Sequence, residues 1–522
     1  GGQDVQAWRS RMLWLVDESM DINWTVNYQD IHQYQEPFNY DGLVPGTGGT
    51  SATPAIYNTF KSRRNFGDFR SEVTGDIKDS NVHLRWGDGT SQIDAFAFYQ
   101  SYDSQSNDNR EPYPGGLGVF QIGLDTDLTT FELRYSDEGD NFSYLTGLYY
   151  LYSKAVSDTS VTLRGIDVVQ DAKGTTEGYA AYVNGTLHLA RQWDLSLGAR
   201  YDYNKSTLDS NVNFLEYAGA IDDSLDFDHV SWSVKLQYYI RDNLNAYLAI
   251  DNAYKQGGFN TLASAVLPFD DIFPVPAAVG RDVLAFEEEV STAYEIGLKG
   301  TVLDDTLRFA VDIFYQEFHD HQLAQPNRVK ALEPLEGLFE GSIVNADKVH
   351  TQGIEFELTY LLGEHWDVDF SGAYFDASIE DWSNRFCEGG EQQRDDQLYC
   401  PKSGGDPLNS LPQWNLNTQL GYQRPLSGAW EFYSRLNWTW QSEANYTVST
   451  DEFSTDKNLI GLNLGFREAA LGLDIRLWVK NITNEDFNID PVVKDNGVAG
   501  ADTWEGTYWP GREYGVTVNY TF

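Results

Sequence analysis

The stretch Val230-Ser231-Trp232-Ser233-Val234-Lys235-Leu236-Gln237-Tyr238-Tyr239-Ile240 decides the fold class. Successive side chains of an extended chain point to opposite faces. Val230, Trp232, Val234, Leu236, Tyr238 and Ile240 therefore make one greasy face, and Ser231, Ser233, Lys235 and Gln237 make a wet one. The pattern recurs at Ile460, Leu462, Leu464 and Phe466 against Lys457, Asn463 and Arg467, and at Leu473, Ile475, Leu477 and Val479 against Asp474, Arg476 and Lys480. Segments of about ten residues match a tilted membrane strand. A soluble sandwich shows the same alternation with its apolar side turned inward, so alternation alone leaves both architectures open.

Composition narrows the choice. The 522 residues carry 36 Lys+Arg against 79 Asp+Glu, a formal net charge of −43, which excludes nucleic acid as a partner because phosphates need clustered basic side chains. A hydrophobic fraction of 41% argues against disorder. Aromatics at 14% beside only two Met favour strands with aromatic anchors over a helical bundle. No stretch approaches the roughly 18 apolar residues that a membrane-spanning helix requires. The chain opens Gly1-Gly2-Gln3, without initiator Met or signal stretch, and is read as a mature or partial chain.

Connectivity favours the membrane barrel. Very short links (Asp17 to Asp21, Gly87 to Gly89, Gly139 to Asn141, Arg191-Gln192, Arg241 to Asn243, Asp304-Asp305, Gly363 to His365) alternate with long polar ones (His32 to Asn65, Lys205 to Asp228, Gly257 to Glu288, Asp320 to Ser342, Glu380 to Leu411, Glu485 to Thr507). Outer-membrane barrels have that asymmetry, with tight periplasmic turns and long outer loops. The expectation is an all-β transmembrane antiparallel barrel with about 19 visible strands, the last being Tyr508 to Phe522. Single-chain barrels have even strand numbers, and the missing strands are expected upstream of Gly1.

Several stretches resemble the TonB-dependent outer-membrane receptors, siderophore type. They are Tyr254-Lys255-Gln256-Gly257-Gly258-Phe259-Asn260, Tyr294-Glu295-Ile296-Gly297-Leu298-Lys299, Val344-Asn345-Ala346 leading to Gly353-Ile354-Glu355-Phe356-Glu357, Val479-Lys480-Asn481-Ile482-Thr483-Asn484, and Pro510-Gly511-Arg512 before the terminal strand. The resemblance implies a 22-stranded barrel around an N-terminal plug. Residues 1–522 would be its barrel domain, lacking the plug and about three first strands. It also implies an active-transport receptor in the bacterial outer membrane, for a scarce nutrient, first of all a ferric siderophore. Its expected partners are the TonB complex, reached through the missing N-terminal part, outer-membrane lipid and lipopolysaccharide, and the barrel-assembly machinery. The alternative is a passive porin, although porins have 16 to 18 strands.

Within this frame the expected ligand contacts are Arg110, Tyr113, Lys255, Phe259, Asn260, Arg328, Trp382, Arg385 and Trp504, in or beside the long connections, where aromatic rings suit chelates. Arg110, Lys255, Arg328 and Arg385 would reverse the acidic field at the mouth. Cys387 and Cys400, the only two cysteines, are expected to form a disulfide in one outer loop, worth about 3 kcal/mol of local order in an oxidising compartment. Tyr514, Val516, Val518, Tyr520 and Phe522 share one face of the last strand and are expected to form the assembly signal. Trp24, Tyr149, Trp232, Trp366, Trp438 and Tyr520 are expected in interfacial girdles. His319 and His321 flank Asp320 and are read as two solvated histidines, no metal or cofactor site being expected. No catalytic motif is present and no enzymatic role is expected.

Overall fold

Among the described residues nine tight links, each closing an antiparallel pair, set the architecture. The first joins Gly2–Leu15 to Met20–Tyr34, and the last joins Lys457–Glu468 to Leu473–Lys480. Aspartates build two of them. Asp17 Oδ1 accepts the amide of Ser19 at 2.7 Å, and Asp88 Oδ1 accepts those of Thr90 and Ser91, both at 2.9 Å. Gly89 supplies the left-handed backbone of the second turn, φ 95°. In the link after Glu289–Val302, Leu303, Asp304 and Asp305 all have positive φ.

The computed structural model describes residues 2–34, 72–109, 118–163, 166–214, 217–261, 284–324, 343–383, 402–408, 411–444, 456–485 and 511–521, and the backbone of four short strands at 39–43, 57–58, 492–495 and 502–506. Its main sheet contains 20 strands. One of them, Lys402–Pro407, is a short strip beside the end of Trp366–Trp382. The remaining nineteen form the wall, each strand antiparallel to its neighbours in sequence. Among the described residues no ladder joins the first wall strand to the last, Glu513–Tyr520. The sheet nevertheless curls back on itself. Asn39–Leu43, which follows the second wall strand, pairs with Asp502–Gly506, which precedes the last one.

Strand lengths divide the wall. From Gly118–Glu138 through Tyr217–Arg241 the strands run 21 to 25 residues. From Trp414–Pro425 to Glu513–Tyr520 they run 8 to 12. This corrects one expectation. Lys205 to Asp228 is a tall antiparallel pair, with Lys205 opposite Asp226 and Ser210 opposite Ile221. The outward face is polar there because it lies beyond the apolar belt, and the inward face mixes Ser206 and Ser210 with Leu208, Val212 and Phe227, so the sequence reads as a loop while the backbone satisfies itself in a ladder.

The greasy face looks outward. Val230 is 55% exposed, Trp232 41%, Leu148 60% and Leu477 51%, as lipid-facing side chains must be. Aromatic pairs edge the belt at both heights. Near the tight turns are Trp193–Tyr238 at 4.4 Å and Trp366–Tyr422 at 4.5 Å, and on the other side are Tyr150–Tyr179 at 5.2 Å and Tyr374–Trp414 at 4.9 Å. The eight residue steps from Trp366 to Tyr374 span roughly 20 Å once the strand is tilted, close to the apolar height of a barrel. Tyr149 departs from the girdle expected for it: its neighbours Leu148 and Tyr150 face lipid, so it points inward, beneath the Arg200 guanidinium at 5.4 Å.

Candidate functional site

Inward-facing residues of the strands from Glu72–Gly87 to Leu244–Lys255 form a continuous polar and aromatic stripe. It begins at His83, whose ring lies 4.2 Å from Phe96 and whose Nε2 is 2.6 Å from Asp94. Arg134 stands over Phe96 at 4.8 Å and donates to Glu132 at 2.7 Å, and the Tyr182 hydroxyl donates to the same carboxylate. One strand further on, Arg200 clasps the buried Asp202 with bonds of 2.7 and 2.8 Å and lies over the Tyr182 ring at 5.5 Å. Asn204 donates to the Tyr254 hydroxyl at 2.6 Å, and His229 stacks on Tyr254 at 4.8 Å. Glu288, in the link before Glu289–Val302, ends the stripe 3.8 Å from His229. Burial pushes its carboxyl above the usual range, against the pull of His229.

Each arginine is flanked in sequence by lipid-facing residues, Leu133 and Tyr135 or Ala199 and Tyr201, and alternation alone aims it into the lumen. The alternation is legible in the sequence, whereas the ligand contacts expected from the sequence lie in or beside the long connections. The next inner sector is acidic, with Asp251, Glu295, Asp312, Glu355 and Glu357 inward and Tyr247 donating to Glu295.

Above the stripe the chain folds inward. Leu244–Lys255 stays paired with Tyr217–Arg241 only as far as Trp232 opposite Asn252. It then crosses the inner face of the tall strands, where Gln256 donates to Ser206 Oγ at 2.6 Å and the buried Gln170 donates to the carbonyl of Thr261 at 2.7 Å. A small apolar core of Ala172, Leu208 and Leu284, with Ile221 and Phe259 packed on it, holds the crossing. Each leucine contributes about 1.5–3 kcal/mol. Gly257 permits the approach, because a Cβ there would come within 2.7 Å of the Phe227 ring.

Buried amides replace the ladder that the crossing gives up. Asn260 donates to Ile343 O and accepts from Ile343 N, both at 2.8 Å. Asn345 donates to the carbonyls of Asp320 at 2.7 Å and Glu287 at 3.1 Å, and accepts from Glu287 N at 2.8 Å. Gln322 donates to Gln256 O at 2.9 Å and Glu287 O at 3.0 Å. Side-chain amides thus take up the main-chain groups of Gln256, Glu287, Asp320 and Ile343.

Three of the expected contact residues meet at this crossing: Lys255, exposed and opposite Glu289; Phe259, on the core; and Asn260, buried with its amide engaged by Ile343. Trp382 is buried at the end of its strand, beside Ser383, whose amide donates to Asp347 at 2.5 Å. Arg110, Tyr113, Arg328, Arg385, Cys387, Cys400 and Phe522 lie outside the described residues, and Trp504 is described only as backbone in Asp502–Gly506. Tyr514, Val516, Val518 and Tyr520 share one outward face, 61 to 81% exposed. Between His319 and His321, Asp320 has a φ of 54°; His319 meets Glu317 at 3.2 Å and His321 meets Glu289 at 2.9 Å.

A curled antiparallel sheet with a lipid-facing apolar belt, two aromatic girdles and a charged inner face is the wall of a large outer-membrane β-barrel. The chain belongs to the family described as TonB dependent receptor-like, beta-barrel, which it matches over residues 19–482. Members of this family are bacterial outer-membrane transport receptors. Among curated proteins it is 25% identical over 264 residues to the pesticin receptor of Yersinia pestis. That match takes in 50% of this chain and 35% of the relative. Among solved structures it superposes on the ferric yersiniabactin uptake receptor FyuA from Yersinia pestis with a TM-score of 0.76 at 15% identity, covering 100% of this chain and 71% of that one. The unliganded ferric citrate transporter FecA gives 0.66 at 16% identity over 99% and 70%, and the copper transporter OprC gives 0.67 at 15% over 100% and 72%.

Proposed function

We propose that the complete protein is an active-transport receptor for a ferric siderophore, energised through TonB, with the long connections facing the cell exterior. The carrying observation is the inner stripe. In a chain of net charge −43, Arg134 and Arg200 stand over aromatic rings on the lumenal face, where an anionic chelate would pass. The ferric-chelate receptors among the structural relatives support this substrate class, and the copper transporter supplies the control. In this reading Arg110, Tyr113, Lys255, Arg328, Trp382, Arg385 and Trp504 receive the ligand from the long connections. Phe259 and Asn260 hold the crossing that shapes its route. A Cys387–Cys400 disulfide orders its own loop, and the apolar face ending in Phe522 is read during membrane assembly.

The test is uptake of radiolabelled ferric chelates by iron-starved cells carrying the complete gene, with and without TonB and with and without an uncoupler. Uptake should vanish in both deficient arms. Uptake that persists without TonB, or accumulation of copper but not of any ferric chelate, overturns the reading. Labelling of cysteines placed at Ser442 and Asp88 fixes the orientation, since only the former should react on intact cells.

A further inference from the structure

The chain returns from the inner crossing to the wall through residues 284–289, and this segment ends in consecutive glutamates that reach in opposite directions. Glu288 lies 3.8 Å from His229 Nδ1, on Tyr217–Arg241. Glu289 lies 2.9 Å from His321 Nδ1, on Leu307–Ala324. In the wall those two strands are separated by Leu244–Lys255 and Glu289–Val302. The two histidines therefore hold the returning segment from either side. All four side chains are largely buried, between 12 and 28% exposed.

The surroundings make these contacts depend on the histidine charge. Asp202 stands opposite His229 in the ladder, but Arg200 already neutralises it. The other groups on the His229 ring, Asn252 at 3.1 Å and Tyr254 at 4.8 Å, are uncharged. Asp228, Glu287 and Asp320 add negative charge around Glu288, and Asp320 in turn lies near Asp347 and His319. His321 packs on Phe318 at 4.9 Å and stands opposite Ala346. Lys255 is the cation that shares Glu289 with it, and the Gln322 amide donates to the same carboxylate at 2.8 Å. Glu288 Oε2 is buried without a hydrogen-bond partner, so a nearby cation matters most there. Neutral histidines thus leave the segment's carboxylates in surplus. Histidine ordinarily changes charge between pH 5 and 8. Protonation converts each contact into an ion pair, so the attraction is present in acid and is lost as pH rises.

We propose that His229 and His321 form an acid-tightened clamp on the inner crossing: when charged they fix residues 284–289 above the stripe, and when neutral they loosen them. Because His229 also stacks on Tyr254, the clamp ties the crossing to the upper end of the stripe. The clamp goes beyond the transport reading, and its test uses neither ligand nor TonB. The experiment is amide hydrogen exchange of the complete receptor in mild detergent at pH 6, 7 and 8, corrected for the intrinsic rate at each pH. In the wild type, protection of residues 258–260 and 284–289 should fall about tenfold from pH 6 to pH 8, while that of Lys457–Glu468 stays constant. The double variant His229→Gln, His321→Gln should show the low protection at every pH, with its heat-modifiable mobility as a folded barrel retained. His321→Gln alone should leave a fall of roughly threefold, half of the logarithmic response. His188→Gln breaks a histidine–aspartate contact of 2.8 Å near a tight turn and should keep the full wild-type response. Wild-type protection that is flat from pH 6 to pH 8, a folded double variant that keeps the dependence, or a response that His188→Gln also removes would each overturn the proposal.

Discussion

The tall strands from Gly118 to Arg241 and the short strands from Trp414 to Tyr520 solve different problems with one alternating pattern. On the short side each strand is little longer than the belt it crosses, and burial is slight because one face meets lipid and the other the lumen. The tall side rises beyond the belt, where the outward face is polar, and there the chain adds an inner layer. Val168, Ala172, Leu208, Val212 and Phe227, the buried apolar residues of that layer, belong to the tall strands. The belt thus needs only alternation, whereas a structure standing above it needs a core and buried amides of its own.

The comparison is broken most forcefully within the belt, where the two sides should behave alike. Leu197→Arg on the tall side and Leu436→Arg on the short side both place a charge on the lipid face, 45% and 40% exposed in the wild type. Each should cost about 2–4 kcal/mol in denaturant unfolding from vesicles. If the short-side variant alone were tolerated, the belt would not be common to both.

Above the belt the two sides should part. Asn345→Ala strips partners from Glu287 and Asp320 and should cost about 1–3 kcal/mol locally. Amide exchange at Gly258–Asn260 and Ile343–Ala346 should accelerate while that of Lys457–Glu468 stays fixed. Acceleration spread evenly over the wall would mean that the crossing is not a separate unit.

A third contrast lies on the inner face. Arg200→Ala leaves Asp202 buried without its cation and removes the guanidinium above Tyr149 and Tyr182. Ferric-chelate uptake should fall about tenfold at unchanged surface abundance, a loss of roughly 1.4 kcal/mol in binding if affinity sets the rate. Gln419→Ala, on the short side, should leave uptake unchanged, and parallel losses would remove the stripe from the transport route.

The smallest effect is expected at the tight turns. Hydrogen bonds from the Ser91 and Thr90 amides hold the Asp88 carboxyl below its usual range, and the Ser19 hydroxyl and amide do so for Asp17. With the folded value depressed, the stabilisation is present above the ordinary aspartate range and is lost as pH falls through the folded value. Asp88→Asn should therefore blunt the acid sensitivity of its hairpin slightly, seen as a small shift in the low-pH exchange profile of Thr90 and Ser91. A profile identical to that of the wild type would show the turn to be held by Gly89 alone.

Alternation from Val230 to Ile240, the tight links and the aromatic spacing were legible in the sequence because each depends on residues adjacent along one strand. Nineteen wall strands, the outward greasy face and the family follow from them. The tall ladder at Lys205 to Asp228 was not legible, since its inward face interrupts Leu208, Val212 and Phe227 with polar residues such as Ser206 and Ser210, and the broken alternation reads as a polar loop. Tyr149 was misplaced because, in the run from Leu148 to Tyr152, rings occupy adjacent positions and only the register shows which ones face lipid. Asn260, Gln322 and Asn345 lie far apart in sequence, and which carbonyls they satisfy depends on where Leu244–Lys255 leaves its neighbour. The sequence by itself determined the membrane-spanning wall, whose period-two pattern is local. Only the tertiary structure decided the inner stripe and the crossing above it, because both are made of contacts between strands that the chain brings together by curling.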